Sequence, residues 1–185
     1  MSTYIVPQSR VAELLPMGEC IEAMEKVLSA LSRGQAVLPL RSLMRTPDAS
    51  GLLGLMPAFL GDPPCLGIKV ISVFFDNHRV GLDSHQGAVL LFEPEHGSLV
   101  AMIDASSITG IRTAAVSGAA TRALAREDAG DLAMIGSGVQ AVTHLEAMLC
   151  VRTLRRVRVY SRDAHAFAER ESKKHNIHIE VMKSA

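Results

Sequence analysis

Apolar residues recur along this chain at two different spacings, and the switch between them divides it. Between residues 9 and 33 the spacing is helical: Ile21, Met24, Leu28 and Leu31 share one face, Pro16 interrupts, and Gly34 stops the run. Ser9 is placed to cap a short first turn. From 37 to 50 the pattern turns extended, with Arg41 and Arg45 set among apolar neighbours. Runs at 51–59 and 67–75 read as strands around the turn Gly61-Asp62-Pro63-Pro64. Runs at 87–92 and 99–104 read as a hairpin about Glu93-Pro94-Glu95-His96-Gly97-Ser98. The alanine-rich stretch 111–126 returns to helix, and its small side chains suit close packing against another element. After the polar residues Glu127-Asp128-Ala129-Gly130 come strand 131–136, helix 139–151, strand 156–160, helix 163–175 and strand 177–182. The expected architecture is α/β: a sheet-rich α+β domain over 1–127, then a partial Rossmann βαβαβ unit over 128–185.

The second part is organised around Asp131-Leu132-Ala133-Met134-Ile135-Gly136-Ser137-Gly138-Val139-Gln140-Ala141, where a short apolar run ends in a glycine turn that opens a helix. A bare Gly-x-Gly-x-x-Ala string also occurs in ordinary turns. Here it stands in the strand-turn-helix context that dinucleotide binding requires. Gly136 permits the tight exit, Gly138 lets the backbone approach a pyrophosphate, and Ala141 allows close helix-to-sheet packing, while exposed helix amides hold the anion. One mononucleotide-binding half is legible, and the expectation is that the fold is truncated on its C-terminal side. At the end of the second strand an acid would favour NAD. Tyr160-Ser161-Arg162 stands there instead, so Ser161 and Arg162 suit a 2′-phosphate and NADP is preferred; Asp163, one place on, keeps NAD possible.

Composition narrows the field. Among 185 residues 48% are hydrophobic and 21% charged, enough for a sizeable core, and 19 basic residues balance 19 acidic ones. Net charge therefore gives no electrostatic reason to expect nucleic acid or an anionic membrane as partner. The cluster Arg152, Arg155, Arg156 and Arg158 lacks aromatic interleaving and reads as a solvated face. Cys20, Cys65 and Cys150 are widely spaced without a Cys-x-x-Cys pair, which fits reduced, buried thiols and a cytoplasmic location. No signal pattern or membrane-length apolar run is present. His175 and His178 could share a metal, but lacking a nearby cysteine they read as surface histidines, and no metal is expected.

Three cations are candidates for holding an acid. Arg41 lies in the extended 37–50 stretch, where an arginine at a strand end beside a cleft is either a carboxylate ligand or a solvated surface residue. Lys69, inside Ile68-Lys69-Val70-Ile71, faces either solvent or a pocket, where it could bind an acid or donate a proton. Arg112 and Thr113 fall in the first turn of the expected 111–126 helix, a natural anion site to which Arg112 adds charge.

The stretches Asp83-Ser84-His85-Gln86-Gly87-Ala88-Val89-Leu90-Leu91-Phe92-Glu93-Pro94, Thr109-Gly110-Ile111-Arg112-Thr113-Ala114-Ala115-Val116-Ser117 and Gly136-Ser137-Gly138-Val139-Gln140-Ala141 together resemble the ornithine cyclodeaminase and mu-crystallin family, on its ketimine reductase side. The resemblance covers nearly the whole chain. It implies a longer homodimeric protein with a substrate-binding and dimerisation domain beside a Rossmann domain. It also implies that Arg41, Lys69 and Arg112 bind a substrate carboxylate, that Thr113 and the Ser84-His85-Gln86 turn lie near the nicotinamide and substrate, and that Gly138, Val139 and Gln140 lie under the pyrophosphate.

The implied activity is NAD(P)H-dependent reduction of a small cyclic imino acid, Δ1-pyrroline-2-carboxylate or Δ1-piperideine-2-carboxylate, to proline or pipecolate. Lys69 or His85 would supply the proton. Ornithine cyclodeamination is the alternative within enzymes, distinguished by ammonia release without net cofactor change. In that branch a later aspartate takes part in the chemistry, and residues 1–185 stop before any equivalent. A non-catalytic NADPH and small-ligand binder of the mu-crystallin type is a further alternative, as is a fragment without function of its own.

Overall fold

The computed structural model describes residues 2–184. Its internal contacts group residues 2–16 with 25–109 in one unit, and 17–24 with 110–184 in another.

In the first unit the two apolar runs extend into the 11-residue strands β4 (Gly51–Gly61) and β5 (Pro64–Phe74). The two-residue turn Asp62-Pro63 joins them, because Gly61 pairs directly with Pro64. β6 (His85–Phe92) and β7 (Leu99–Asp104) continue the antiparallel meander. At its outer side the segment expected to be extended from 37 splits into β2 (Ala36–Val37) and β3 (Ser42–Arg45), both paired with β4. Pro39 lies in the gap, where a residue without an amide donor cannot continue a ladder. One strand escaped the sequence reading: β1 (Tyr4–Val6), too short to show a period, which pairs in parallel with β7. The sheet runs β1-β7-β6-β5-β4-β2, with β3 also on β4.

Strand alternation gives this sheet two unlike faces. On one, Ile71 and Ala101 are buried, and α1 (Gln8–Leu14) packs against β7 through the buried Val11. The other keeps Met44, Leu55, Phe59, Leu66 and Met102 exposed. Gly87 is pinched between strands: its φ is +152°, and an added Cβ would lie 2.0 Å from the Val70 carbonyl oxygen. Only glycine fits there.

α2 (Met17–Ser32) follows Pro16, and Gly34 ends it with φ +72°. The preceding helix starts at Gln8 with Pro7 at its N-cap, so Ser9 lies inside it. The first residues of α2 belong to the second unit, where Cys20 and Ile21 are buried. Ile21 packs on α3 (Ala105–Leu124) at Gly118, where an added Cβ would come within 2.9 Å of the isoleucine Cδ1.

The rest of the second unit is β8 (Asp131–Ile135), α4 (Val139–Val151), β9 (Arg156–Tyr160), α5 (Ala164–His175) and β10 (Ile179–Val181). The strands are parallel in the order β10-β9-β8, as in a mononucleotide-binding half. One core holds it together: Met134, Leu145, Val157, Val159, Phe167 and Ile179, with Ala141 packed at its margin. The expected fold class therefore holds, with a sheet-rich α+β part followed by a βαβαβ Rossmann half.

Candidate functional site

β8 leads into Gly136, whose φ of +111° turns the chain out of the sheet. Its amide donates to the Tyr160 carbonyl at 2.9 Å, so the turn is fastened to the end of β9. A Cβ added at Gly136 or Gly138 would meet nothing within 4 Å, so the space beside the backbone is open. Gly138 is the N-cap of α4 and offers no side-chain cap. The first amides of the helix, at Val139 and Gln140, accordingly lack intrahelical acceptors and sit at its positive end. Open space beside uncapped amides is what a pyrophosphate needs, so these residues fit a dinucleotide. A cavity of about 400 Å³ adjoins the turn, lined by Leu132, Met134, Gly136, Gly138, Gln140 and His144 among others.

Ser137 and Ser161, at opposite ends of the expected cofactor seat, are brought into contact. Ser161 Oγ donates to Ser137 Oγ at 2.6 Å and accepts from the Asp163 amide at 3.1 Å. The Ser161 proton is thereby used within the protein. Ser137 keeps its own for another acceptor, and Arg162 beside them is exposed.

In the first unit Lys69 is half-buried, and its Nζ donates to Thr109 Oγ1 at 3.4 Å. It pairs across the sheet with Met56 and Val89. Arg41 stands one residue before the first β3–β4 pair, Ser42 with Leu55, so continuation of that register sets it opposite Met56. Arg41 and Lys69 then share a transverse row and a sheet face, two strand spacings or about 9.6 Å apart. Arg41 is exposed.

The Ser84-His85-Gln86 segment is less of a turn than the sequence suggests, because β6 begins at His85. His85 pairs with Val73 and so shares the face of Lys69, roughly 13 Å further along the strand direction. Alternation sends Gln86 to the opposite face, where its Nε2 donates to the Asp83 carbonyl at 3.0 Å. The Ser84 carbonyl accepts from the Phe74 amide at 2.9 Å, and the His85 carbonyl from Ser106 Oγ at 2.6 Å.

The helix carrying Arg112 and Thr113 starts six residues earlier than expected, at Ala105 instead of 111. The reason is Asp104, whose Oδ1 accepts from the Ser107 amide at 2.9 Å, the N-cap pattern. Arg112 and Thr113 thus lie in the body of α3, and the anion site at a helix start argued for them is lost. Arg112 is half-buried within reach of Cys20. Burial pushes the Cys20 thiol up, and the Arg112 charge opposes that shift.

Three further readings change. Arg152 is not a solvated cation: its Nη2 donates to the carbonyls of Thr121 and Ala125, both at 2.8 Å, and its Nε to that of Arg126 at 3.1 Å. It closes the C-terminus of α3. His175 is largely buried, with Nε2 3.5 Å from Oε2 of the buried Glu171, whereas His178 is exposed. Cys20 is buried, but Cys150 is exposed; all three thiols are free.

A parallel βαβαβ half whose glycine turn opens into an uncapped helix is the architecture of a dinucleotide-binding half-domain. The chain belongs to the ornithine cyclodeaminase/mu-crystallin family, whose sequence model matches residues 1–185. It is 34% identical over 145 residues to the ketimine reductase mu-crystallin of Mus musculus, covering 77% of this chain and 46% of that protein. It is 32% identical over 175 residues to a Δ1-pyrroline-2-carboxylate reductase of Bacillus cereus, covering 93% and 54%. The solved Δ1-pyrroline-2-carboxylate reductase of Thermococcus litoralis, in complex with NADH and L-proline, superposes with a TM-score of 0.93 at 36% identity, over 99% of this chain and 58% of that one. The chain thus spans about half the length of the relatives it matches. Among the described residues no helix is long and apolar enough to cross a membrane.

Proposed function

We propose that this chain carries the dinucleotide seat and part of the substrate seat of an NADPH-dependent reductase of small cyclic imino acids. The reaction is Δ1-pyrroline-2-carboxylate or Δ1-piperideine-2-carboxylate to proline or pipecolate. The observation that carries this reading is the open glycine turn at Gly136 and Gly138 leading into uncapped amides. It occurs in a chain similar over 93% of its length to a protein named for that reduction.

Gly136, Ser137, Gly138, Val139 and Gln140 would hold the pyrophosphate, and Arg162 the 2′-phosphate, with Ser161 joining it by turning its hydroxyl from Ser137 to the ligand. NADPH is preferred on the strength of Arg162, with NADH the weaker ligand. Bound, the reduced nicotinamide supplies a hydride to the imine carbon. Arg41, Lys69 and Arg112 neutralise and orient the substrate carboxylate, with Thr113, Ser84 and His85 beside the ring, while Gln86, turned to the opposite sheet face, braces that segment through the Asp83 carbonyl. Lys69, already half-buried with its ammonium donating to Thr109, is the better placed proton donor to the imine nitrogen; His85 is the other. The C=N bond becomes C–H and N–H, and NADPH becomes NADP⁺.

The domain roles follow: 1–127 for substrate and dimerisation, and 128–185 as the first half of a Rossmann domain. The exposed apolar sheet face with Leu55, Phe59, Leu66 and Met102 supports a homodimer, and the three free thiols suit a cytoplasmic location. The test is stoichiometry. A reductase consumes NADPH in step with proline or pipecolate; ammonia release without net NADPH loss would sink the reading in favour of a cyclodeaminase, and NADPH binding without turnover would favour a binding protein.

A further inference from the structure

α3 and α4 run side by side in the second unit. A Cβ added at Gly110 would touch Thr143 Cγ2 and Val139 Cγ1 at 3.5 and 3.6 Å, and one at Gly118 would lie 3.5 Å from Ala147 Cβ. Small residues on α3 thus let the helix that starts at the glycine turn come close. Midway along this apolar seam Ser117 Oγ lies 3.0 Å from His144 Nε2, while His144 Nδ1 lies 2.7 Å from the Gln140 carbonyl.

A carbonyl can only accept, so Nδ1 must carry a hydrogen. In the neutral ring Nε2 is then the acceptor, and Ser117 donates to it. The chain Ser117, His144, Gln140 carbonyl therefore runs from α3 into the first turn of α4. Its two ends are informative. Gln140 lies at the open helix start, and Ser117 stands one helical turn beyond Thr113; the Thr113 carbonyl, at 3.4 Å, is the longer of the two contacts competing for the single Ser117 hydroxyl hydrogen, so that hydrogen goes to His144.

We infer that Ser117 and His144 are positioning residues: their hydrogen bond holds the α3 segment bearing Arg112 and Thr113 in register with the glycine turn. This rests on the proposed dinucleotide seat. The pyrophosphate is gripped by α4 and the nicotinamide end by α3, so a ligand spanning both senses their relative placement and a ligand held by α4 alone does not. Packing of the small residues sets the distance between the two helices; the directional bond adds a fixed point along their length.

The experiment titrates the full chain with NADPH and with 2′-phospho-ADP-ribose, the same molecule without its nicotinamide. Wild type, Ser117→Ala and His144→Gln are compared, the last keeping an acceptor near the Nε2 position. Alanine favours helix, and circular dichroism checks that the variants fold. Loss of this one half-buried hydrogen bond predicts NADPH binding weakened about fivefold in Ser117→Ala, with 2′-phospho-ADP-ribose affinity held within about twofold. His144→Gln recovers most of the NADPH affinity. Parallel loss of both ligands, or loss of neither, overturns the inference while leaving the dinucleotide seat standing. A wild-type chain that binds neither ligand overturns the seat itself, and the inference with it.

Discussion

Replacing Arg152 by methionine should destabilise the second unit by about 3 kcal/mol. The magnitude comes from the bonds its guanidinium makes to partly buried carbonyls: Thr121 and Ala125 at 2.8 Å from Nη2, and Val151 at 2.7 Å from Nη1. Each is charge-assisted, but the side chain is half-exposed and water can replace part of what is lost, so about 1 kcal/mol per bond is appropriate. The bonds to Arg122 and Arg126 are exposed and are left out of the sum. Methionine keeps the apolar stem, so the difference reports the guanidinium and not packing. Lysine restores the charge at the helix end but cannot span three carbonyls, and should recover only about 1 kcal/mol. Urea melts followed by circular dichroism measure the change. Hydrogen exchange at the Ala125 amide, which donates to the Thr121 carbonyl at 3.1 Å, locates it. A methionine variant within about 0.5 kcal/mol of wild type, with unchanged exchange at Ala125, would refute the capping role.

Gly87→Ala must push β5 and β6 apart, because its Cβ meets the Val70 carbonyl oxygen at 2.0 Å; a loss of about 3 kcal/mol or insoluble protein is expected, and a wild-type urea midpoint would contradict it. The Glu93 carboxyl is held below its ordinary range by the Ser98 amide and then by those of Glu95, His96 and Gly97. A depressed folded value means its stabilisation is complete above that range and lost as pH falls through the folded value. Protection of the Ser98 amide, its exchange rate relative to the intrinsic rate at each pH, should therefore fall in the acid range in wild type, and a Glu93→Gln variant should show no such step; identical profiles would count against it. Arg162→Ala should weaken NADPH about tenfold and leave NADH nearly unchanged, measured by fluorescence titration, and equal loss of both would remove the 2′-phosphate assignment.

Agreement is tightest in the βαβαβ half. Residues 156–160 form a strand with the same bounds, and the helix opening at Val139 follows the glycine turn as its spacing requires. Disagreement arises where one local bond outweighs pattern. The alanine-rich pattern starts the helix at 111, but the Asp104 cap starts α3 earlier and carries it through Gly110. Tyr4–Val6 is strand only because β7 offers an edge, which three residues cannot announce. The candidate site was legible as residue types more than as geometry. Ser137 and Ser161 stand 24 positions apart in the sequence, and only folding makes them hydrogen-bonded partners. Arg152 looked like one cation among four, since the carbonyls it caps lie about thirty positions back along the chain. His144 carries no motif at all; its role needs Ser117, on another helix.

The central claim is that a dinucleotide nests against the turn from Gly136 into α4. Gly138 has φ −80° and open space around its Cα, so a valine there leaves the fold intact while filling the seat. Calorimetric titration of NADPH into wild type and Gly138→Val tests the claim most directly. Saturable binding of one NADPH per chain to wild type, lost in the variant, is the expected result; equal binding to both, or none to wild type, would contradict it.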